Sequence, residues 1–160
     1  MQLEGSCYCG AVRFSCDAYA PVPYLRCYCS ICRKTGGGGG YAINLGANAG
    51  GLKVSGSENI TVFHAVIDGE QSPAERRFCN KCGSALWVQD PRWPDLIHPF
   101  ASAIDTDLPQ PPEHIHIMLS ARPDWVRIDD NGTEDRFDNY PSESLEDWHR
   151  RHNVLSGDQA

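Results

Sequence analysis

Three thiols, Cys27, Cys29 and Cys32 of "RCYCSICRKTGGGGG" (26–40), lie within six residues of each other. Thiolates are both nucleophiles and zinc ligands. Zinc that only holds a fold together takes four protein ligands, whereas a catalytic zinc keeps one position open for water or substrate. Three thiols are one short of a closed site. Either a fourth ligand comes from elsewhere, or the vacancy is the function.

The other cysteines narrow the choice. "GSCYCG" supplies Cys7 and Cys9, "FCNKCGSAL" supplies Cys79 and Cys82, and Cys16 stands alone. Two Cys separated by two residues at a tight turn can aim both sulfurs at one metal, and Gly83 just after permits the positive φ such turns often need. One knuckle needs a second pair, and Cys7 and Cys9 are its natural supplier because both pairs adjoin strands. Four thiolates close a tetrahedron, so that site is expected to be structural, its binding energy being folding energy. A different partition stays open, with Cys79 and Cys82 joining the middle cluster. Cys16 is the rival fourth ligand for the middle site, although it shares a strand face with Val12 and Phe14 and reads as a small buried hydrophobe. His114 with His116, and His149 with His152, are pairs of the kind more often solvated than metal-bound, and neither is assigned a metal.

The elements that must position these groups read as strands. Period-two alternation recurs in "AVRFSC" (11–16), "ITVFHAVI" (60–67), "SALWV" (84–88) and "HIHIML" (114–119). In the last, Ile115, Ile117 and Leu119 are expected inward, with His114, His116 and Met118 on the other face. Gly- and Pro-rich punctuation ("TGGGGG", "LGANAGG", "SPAE", "DPRWPD", "LPQPPE", "DDNGTED") divides the strands and implies a mostly antiparallel β domain. One convincing helix follows Ser144, which can cap it, through "LEDWHRRH", and a shorter helical turn is expected after Cys29. Residues 1–155 read as one domain and 156–160 as a tail.

Composition sets the class. The 160 residues suit a single domain with a real core, and 41% hydrophobic with 22% charged residues is ordinary for a globular protein. A net charge of −7 argues against a nucleic-acid backbone as partner. The N-terminus shows no basic region followed by an apolar run, and no stretch approaches the roughly 18 apolar residues of a membrane helix. A cytoplasmic protein is expected, with neither nucleic acid nor membrane as partner. In that reducing setting eight cysteines at close spacing read as thiolate metal sites rather than disulfides.

The ordered motifs "GSCYCGAVRF", "CYCSICRKTGG" and "RRFCNKCGSALW", with "PEHIHIMLSARPDWVRIDD" towards the C-terminus, resemble the glutathione-dependent formaldehyde-activating enzyme family, also called the CENP-V/GFA domain. The resemblance covers nearly the whole chain. It implies a mainly β, Mss4-like (β-tent) fold of antiparallel sheets around a structural zinc held by Cys7, Cys9, Cys79 and Cys82. It also implies a second, catalytic zinc on Cys27, Cys29 and Cys32, hence two Zn2+ per chain. The activity implied is that of a carbon–sulfur lyase, forming or cleaving S-hydroxymethylglutathione or a related thiol–aldehyde adduct, with glutathione as co-substrate. Glutathione carries carboxylates, and Arg33 and Lys34, with Arg26 upstream, are candidates to meet them, although their reading as solvated surface charges stands beside that one. The alternative is a non-catalytic Mss4-like zinc-binding or protein-interaction module, with the middle zinc closed by Cys16 or absent. Chromatin or tubulin association, as in longer relatives, fits poorly with an acidic chain lacking a basic extension. The family usually has His where this chain has Tyr28, and fewer glycines than Gly36–Gly40. Both departures bear on the substrate more than on the zinc.

Overall fold

A computed structural model describes residues 1–128 and 134–154, and the statements below concern those residues. In chain order the elements are β1 (Gln2–Ser6), β2 (Arg13–Asp17), β3 (Tyr24–Cys27), α1 (Ser30–Thr35), β4 (Ala42–Asn44), β5 (Ala47–Ser55), β6 (Ile60–Phe63) and β7 (Val66–Ile67). Then follow β8 (Glu70–Gln71), β9 (Glu75–Cys79), β10 (Ala85–Gln89), β11 (Leu96–Pro99), β12 (His114–Ile117), β13 (Asp135–Arg136) and α2 (Leu145–Arg151). The expected tail 156–160 and most of the "DDNGTED" turn lie outside the described residues.

The strands form a seven-stranded sheet, order β1-β2-β5-β11-β10-β9-β6, a four-stranded sheet, order β13-β12-β3-β4, and the small ribbon β7-β8. The larger sheet is antiparallel throughout. In the smaller sheet β12 runs parallel to both β3 and β13, so antiparallel pairing is the rule of the fold without being universal. The mainly β class expected from the sequence is what the chain adopts.

The alternation in 11–16 puts Val12, Phe14 and Cys16 into the core, each at most 4% exposed. Leu3, Leu86, Trp87 and Ile97 join them, and the rings of Phe14 and Trp87 lie 5.0 Å apart. Full burial of each such side chain is worth about 1.5–3 kcal/mol relative to exposure. One apolar cluster reaches from these strands to Ile115, Ile117 and Trp148, so both sheets and α2 share a core.

Four expectations from the pattern need correction, the first being that "LGANAGG" divides strands: from Ala47 onward it lies within β5. Residues 60–67 do not form one strand: β6 ends at Phe63, β7 is separate, and Phe63, Val66 and Ile67 are exposed. In β10, Leu86, Trp87 and Val88 are buried in succession, because this central strand is covered on both faces. In "HIHIML" the strand stops at Ile117, since Met118 turns to φ +62°, and Leu119 enters a short 3-10 turn instead of facing inward.

The helices follow local chemistry. Ser144 Oγ accepts the Asp147 N–H at the start of α2, a cap worth about 1 kcal/mol. At the start of α1 the cap is a sulfur, Cys29.

Candidate metal centres

Two turns build the first thiol group. Cys7 and Cys9 lie between β1 and β2, while Cys79 ends β9 and Cys82 lies in the turn before β10. Gly10 (φ +73°) and Gly83 (φ +75°) follow the two pairs and take the left-handed backbone that reverses each turn. Ser84 Oγ accepts the Tyr8 N–H at 3.0 Å, tying one turn to the other.

The four sulfurs lie within 4.8 Å of one another. Cys7–Cys9 and Cys9–Cys79 are 3.6 and 3.8 Å apart, Sγ to Sγ. Bonds of about 2.3 Å to a tetrahedral zinc require sulfurs about 3.8 Å apart, so this donor set fits zinc. Donors already face the sulfurs: Val12 N–H to Cys7 at 3.2 Å and Lys81 N–H to Cys79 at 3.4 Å. The hydroxyl and backbone of Ser84 hold the Cys82 thiol down to about pKa 5.

The second group gathers at the start of α1. Cys27 is the last residue of β3, Cys29 caps the helix, and Cys32 lies in its first turn. Their sulfurs also converge within 4.8 Å, with Cys27 and Cys32 buried and Cys29 half-buried. Cys32 N–H donates to Cys29 Sγ at 3.3 Å. Hydrogen bonds from Cys27 and Cys32 pull the Cys29 thiol down to about pKa 2, and Cys27 is pushed up by bonding to Cys29. The soft sulfur donors of this trio suit zinc.

Cys16 belongs to neither group. It faces Leu3 across the β1–β2 pair, and burial pushes its thiol up to about pKa 11. The partition of the thiols is thus Cys7, Cys9, Cys79 and Cys82 in one group, and Cys27, Cys29 and Cys32 in the other.

The cation that touches the trio is Arg76 of β9, whose Nη1 lies 3.6 Å from Cys32 Sγ. Of the basic candidates near the trio, Lys34 is exposed, Arg33 is half-buried on α1, and Arg26 pairs with Glu134 at 3.9 Å. Arg76 was missed because nothing local to "ERRFC" says that β9 passes beside α1. That proximity comes from the packing of the two sheets.

The expectation of solvated histidines also fails. His116 is fully buried and His149 nearly so, its Nε2 bonding to the Val22 carbonyl at 2.6 Å. Neither joins a thiol group. A cleft of about 540 Å3 opens beside the four-thiol group, lined in part by Ser6, Thr35, Ser84, Ser102 and Asp105.

Comparison with known proteins adds independent evidence. Residues 2–120 match the family described as "Glutathione-dependent formaldehyde-activating enzyme". A Halomonas elongata protein named "Putative glutathione-dependent formaldehyde-activating enzyme" is 58% identical over 157 residues, covering 98% of this chain and all of the relative. A crystal structure of a Rhodobacter sphaeroides protein superposes with a TM-score of 0.52 at 28% identity, covering 68% of this chain and 92% of that one.

Proposed function

This chain belongs to the glutathione-dependent formaldehyde-activating enzyme family, and from that premise we propose that it is a zinc-dependent carbon–sulfur lyase acting on a thiol–formaldehyde adduct. The observation that carries the reading is the three-thiol group: convergent and, among the described residues, one ligand short of a closed site, with Cys16 outside it. The four-thiol group serves as the structural zinc site and Cys27, Cys29 and Cys32 as the catalytic one. The setting is the reducing cytoplasm, where thiolates persist. Among the described residues no helix is long and apolar enough to cross a membrane.

The reaction is redox-neutral. A thiol R–SH adds to formaldehyde, the S–C bond forms as the carbonyl π bond breaks, and the proton ends on oxygen to give R–S–CH2–OH. The reverse reaction breaks that S–C bond and returns the proton to sulfur. Cys27, Cys29 and Cys32 would hold the zinc, which would supply the Lewis acidity that lowers the pKa of a substrate thiol.

The protein's own groups handle the charge. Three thiolates would outweigh a bound dication by one negative charge, and an approaching anionic sulfur would add to that excess. Arg76, beside Cys32, offsets part of that excess. It thereby favours entry of an anionic sulfur. Arg33 and Lys34 stand in the last turn of α1, directly after Cys32 in the chain, and are the groups proposed to meet the carboxylates of glutathione.

Cobalt at the three-thiol site gives the test. Titration with glutathione should change its visible absorption as a further sulfur joins the set. An unchanged spectrum at millimolar glutathione would sink the glutathione assignment and favour the non-catalytic, protein-interaction reading.

A further inference from the structure

Among the buried polar groups that this reaction does not use, one chain of hydrogen bonds begins inside the metal loop itself. Tyr28 lies between Cys27 and Cys29 and is 1% exposed. Its hydroxyl is 2.7 Å from His116 Nδ1, and His116 Nε2 is 2.6 Å from Glu134 Oε2. His116 is completely buried and the Glu134 side chain is 7% exposed.

The chemistry orders the protons. A carboxylate only accepts, so Nε2 of His116 carries the hydrogen and donates to Glu134. In the neutral imidazole Nδ1 is then the acceptor, and the Tyr28 hydroxyl donates to it. Burial, which lowers the His116 pKa, favours that neutral form. Arg26, 3.9 Å from the other Glu134 oxygen, anchors the far end.

Packing fixes the near end. The Tyr28 and His116 rings stack with centroids 5.6 Å apart, and Tyr41 lies 5.3 Å away. Tyr28 N–H donates to the Ile117 carbonyl at 3.1 Å, continuing the β3–β12 pairing by one residue. The backbone between two of the three thiols is thus held at its amide and at its side-chain tip, both times by β12.

We propose that Tyr28 is a positioning residue of the three-thiol centre: tied through His116 to Glu134, it sets the directions in which Cys27 and Cys29 present their sulfurs. The proposal rests on the reading that the trio holds a metal, and on no particular substrate. It gives a role to the buried tyrosine between two of the thiols.

The test compares Tyr28→Phe, Glu134→Gln and the double variant with the parent protein. Each carries zinc at the four-thiol site and cobalt at the trio, and cobalt affinity is measured by chelator competition. Tyr28→Phe keeps the ring and removes only the donor. Loss of such outer contacts typically weakens metal binding 10- to 100-fold. We expect a loss of that order, with shifted cobalt d–d bands, while zinc content at the four-thiol site and the far-ultraviolet spectrum stay as in the parent. Glu134→Gln should shift the same bands, and the double variant should lose less than the product of the single losses. Parent-like affinity and bands in Tyr28→Phe would overturn the proposal, as would independent, multiplying losses in the double variant. Glutathione is absent from this comparison, so failure of the lyase reading shows separately, in the parent titration alone.

Discussion

Arg76 Nη1 lies 3.6 Å from Cys32 Sγ, so a cation carried by β9 of the larger sheet touches a thiol carried by α1. A charge-assisted hydrogen bond of this kind is worth about 1.5–3 kcal/mol. Arg76→Gln should therefore raise the KM for the thiol about tenfold or more, with a smaller effect on kcat. Arg76→Lys should recover part of the loss, because a charge remains without the planar fork. Steady-state kinetics against thiol concentration checks this, and an unchanged KM in Arg76→Gln would remove Arg76 from the site.

The two thiol groups should respond differently to loss of one sulfur. Cys82 joins turns from opposite ends of the larger sheet, β1–β2 and β9–β10. Binding energy there is folding energy. Cys82→Ser should lose zinc and cooperative unfolding together. Cys29→Ser should lose one zinc of two and keep the fold, because β3 and α1 remain held by β12, β4 and the core. Metal analysis with thermal unfolding reads both. An unfolded Cys29→Ser protein would make the middle site structural.

Much of this was legible before any coordinates. Short-range spacing carried it: Cys pairs at turns, a glycine after Cys82, a serine before α2 and alternation in β2 all state their geometry locally. What stayed hidden is set at long range. Arg76 reaches Cys32 across 44 positions, and Tyr28 reaches His116 across 88. His116 looked solvated because alternation with Ile115 and Ile117 marks only which face it shares. That face is covered too, by Tyr28 and Glu134. In β10 the same ambiguity made a strand buried on both faces look half-exposed.

The glycine run after α1 separates into positions that need glycine and positions that do not. A Cβ on Gly37 would lie 1.6 Å from the Tyr41 carbonyl oxygen, whereas one on Gly38 would meet nothing within 4 Å. The Tyr41 backbone cannot swing aside as a flexible side chain would. Gly37→Ala should cost about 1–3 kcal/mol, in the range of overpacked sites. Gly38→Ala should stay within about 0.5 kcal/mol of the parent. Denaturant unfolding of the zinc-loaded proteins decides it, and equal midpoints for the two variants would contradict the close approach.

His98 gives a pH dependence of definite sign. Burial lowers its pKa below the ordinary 6.5, and its Nδ1–H donates to the Leu45 carbonyl at 3.1 Å. The unfolded chain therefore takes up this proton at higher pH than the folded one. The stability His98 permits is complete above pH 6.5 and declines as the pH falls through that value towards the lower folded pKa. His114 and His116 are shifted the same way, also by burial. His98→Asn keeps a donor for Leu45 and removes one titrating group. Between about pH 6.5 and 5 its stability should fall less steeply than the parent's, by at most about 1.4 kcal/mol per pH unit. Urea unfolding across that range, with zinc in excess, supplies the comparison. A parallel pair of pH curves would mean that His98 titrates alike in the folded and unfolded chains.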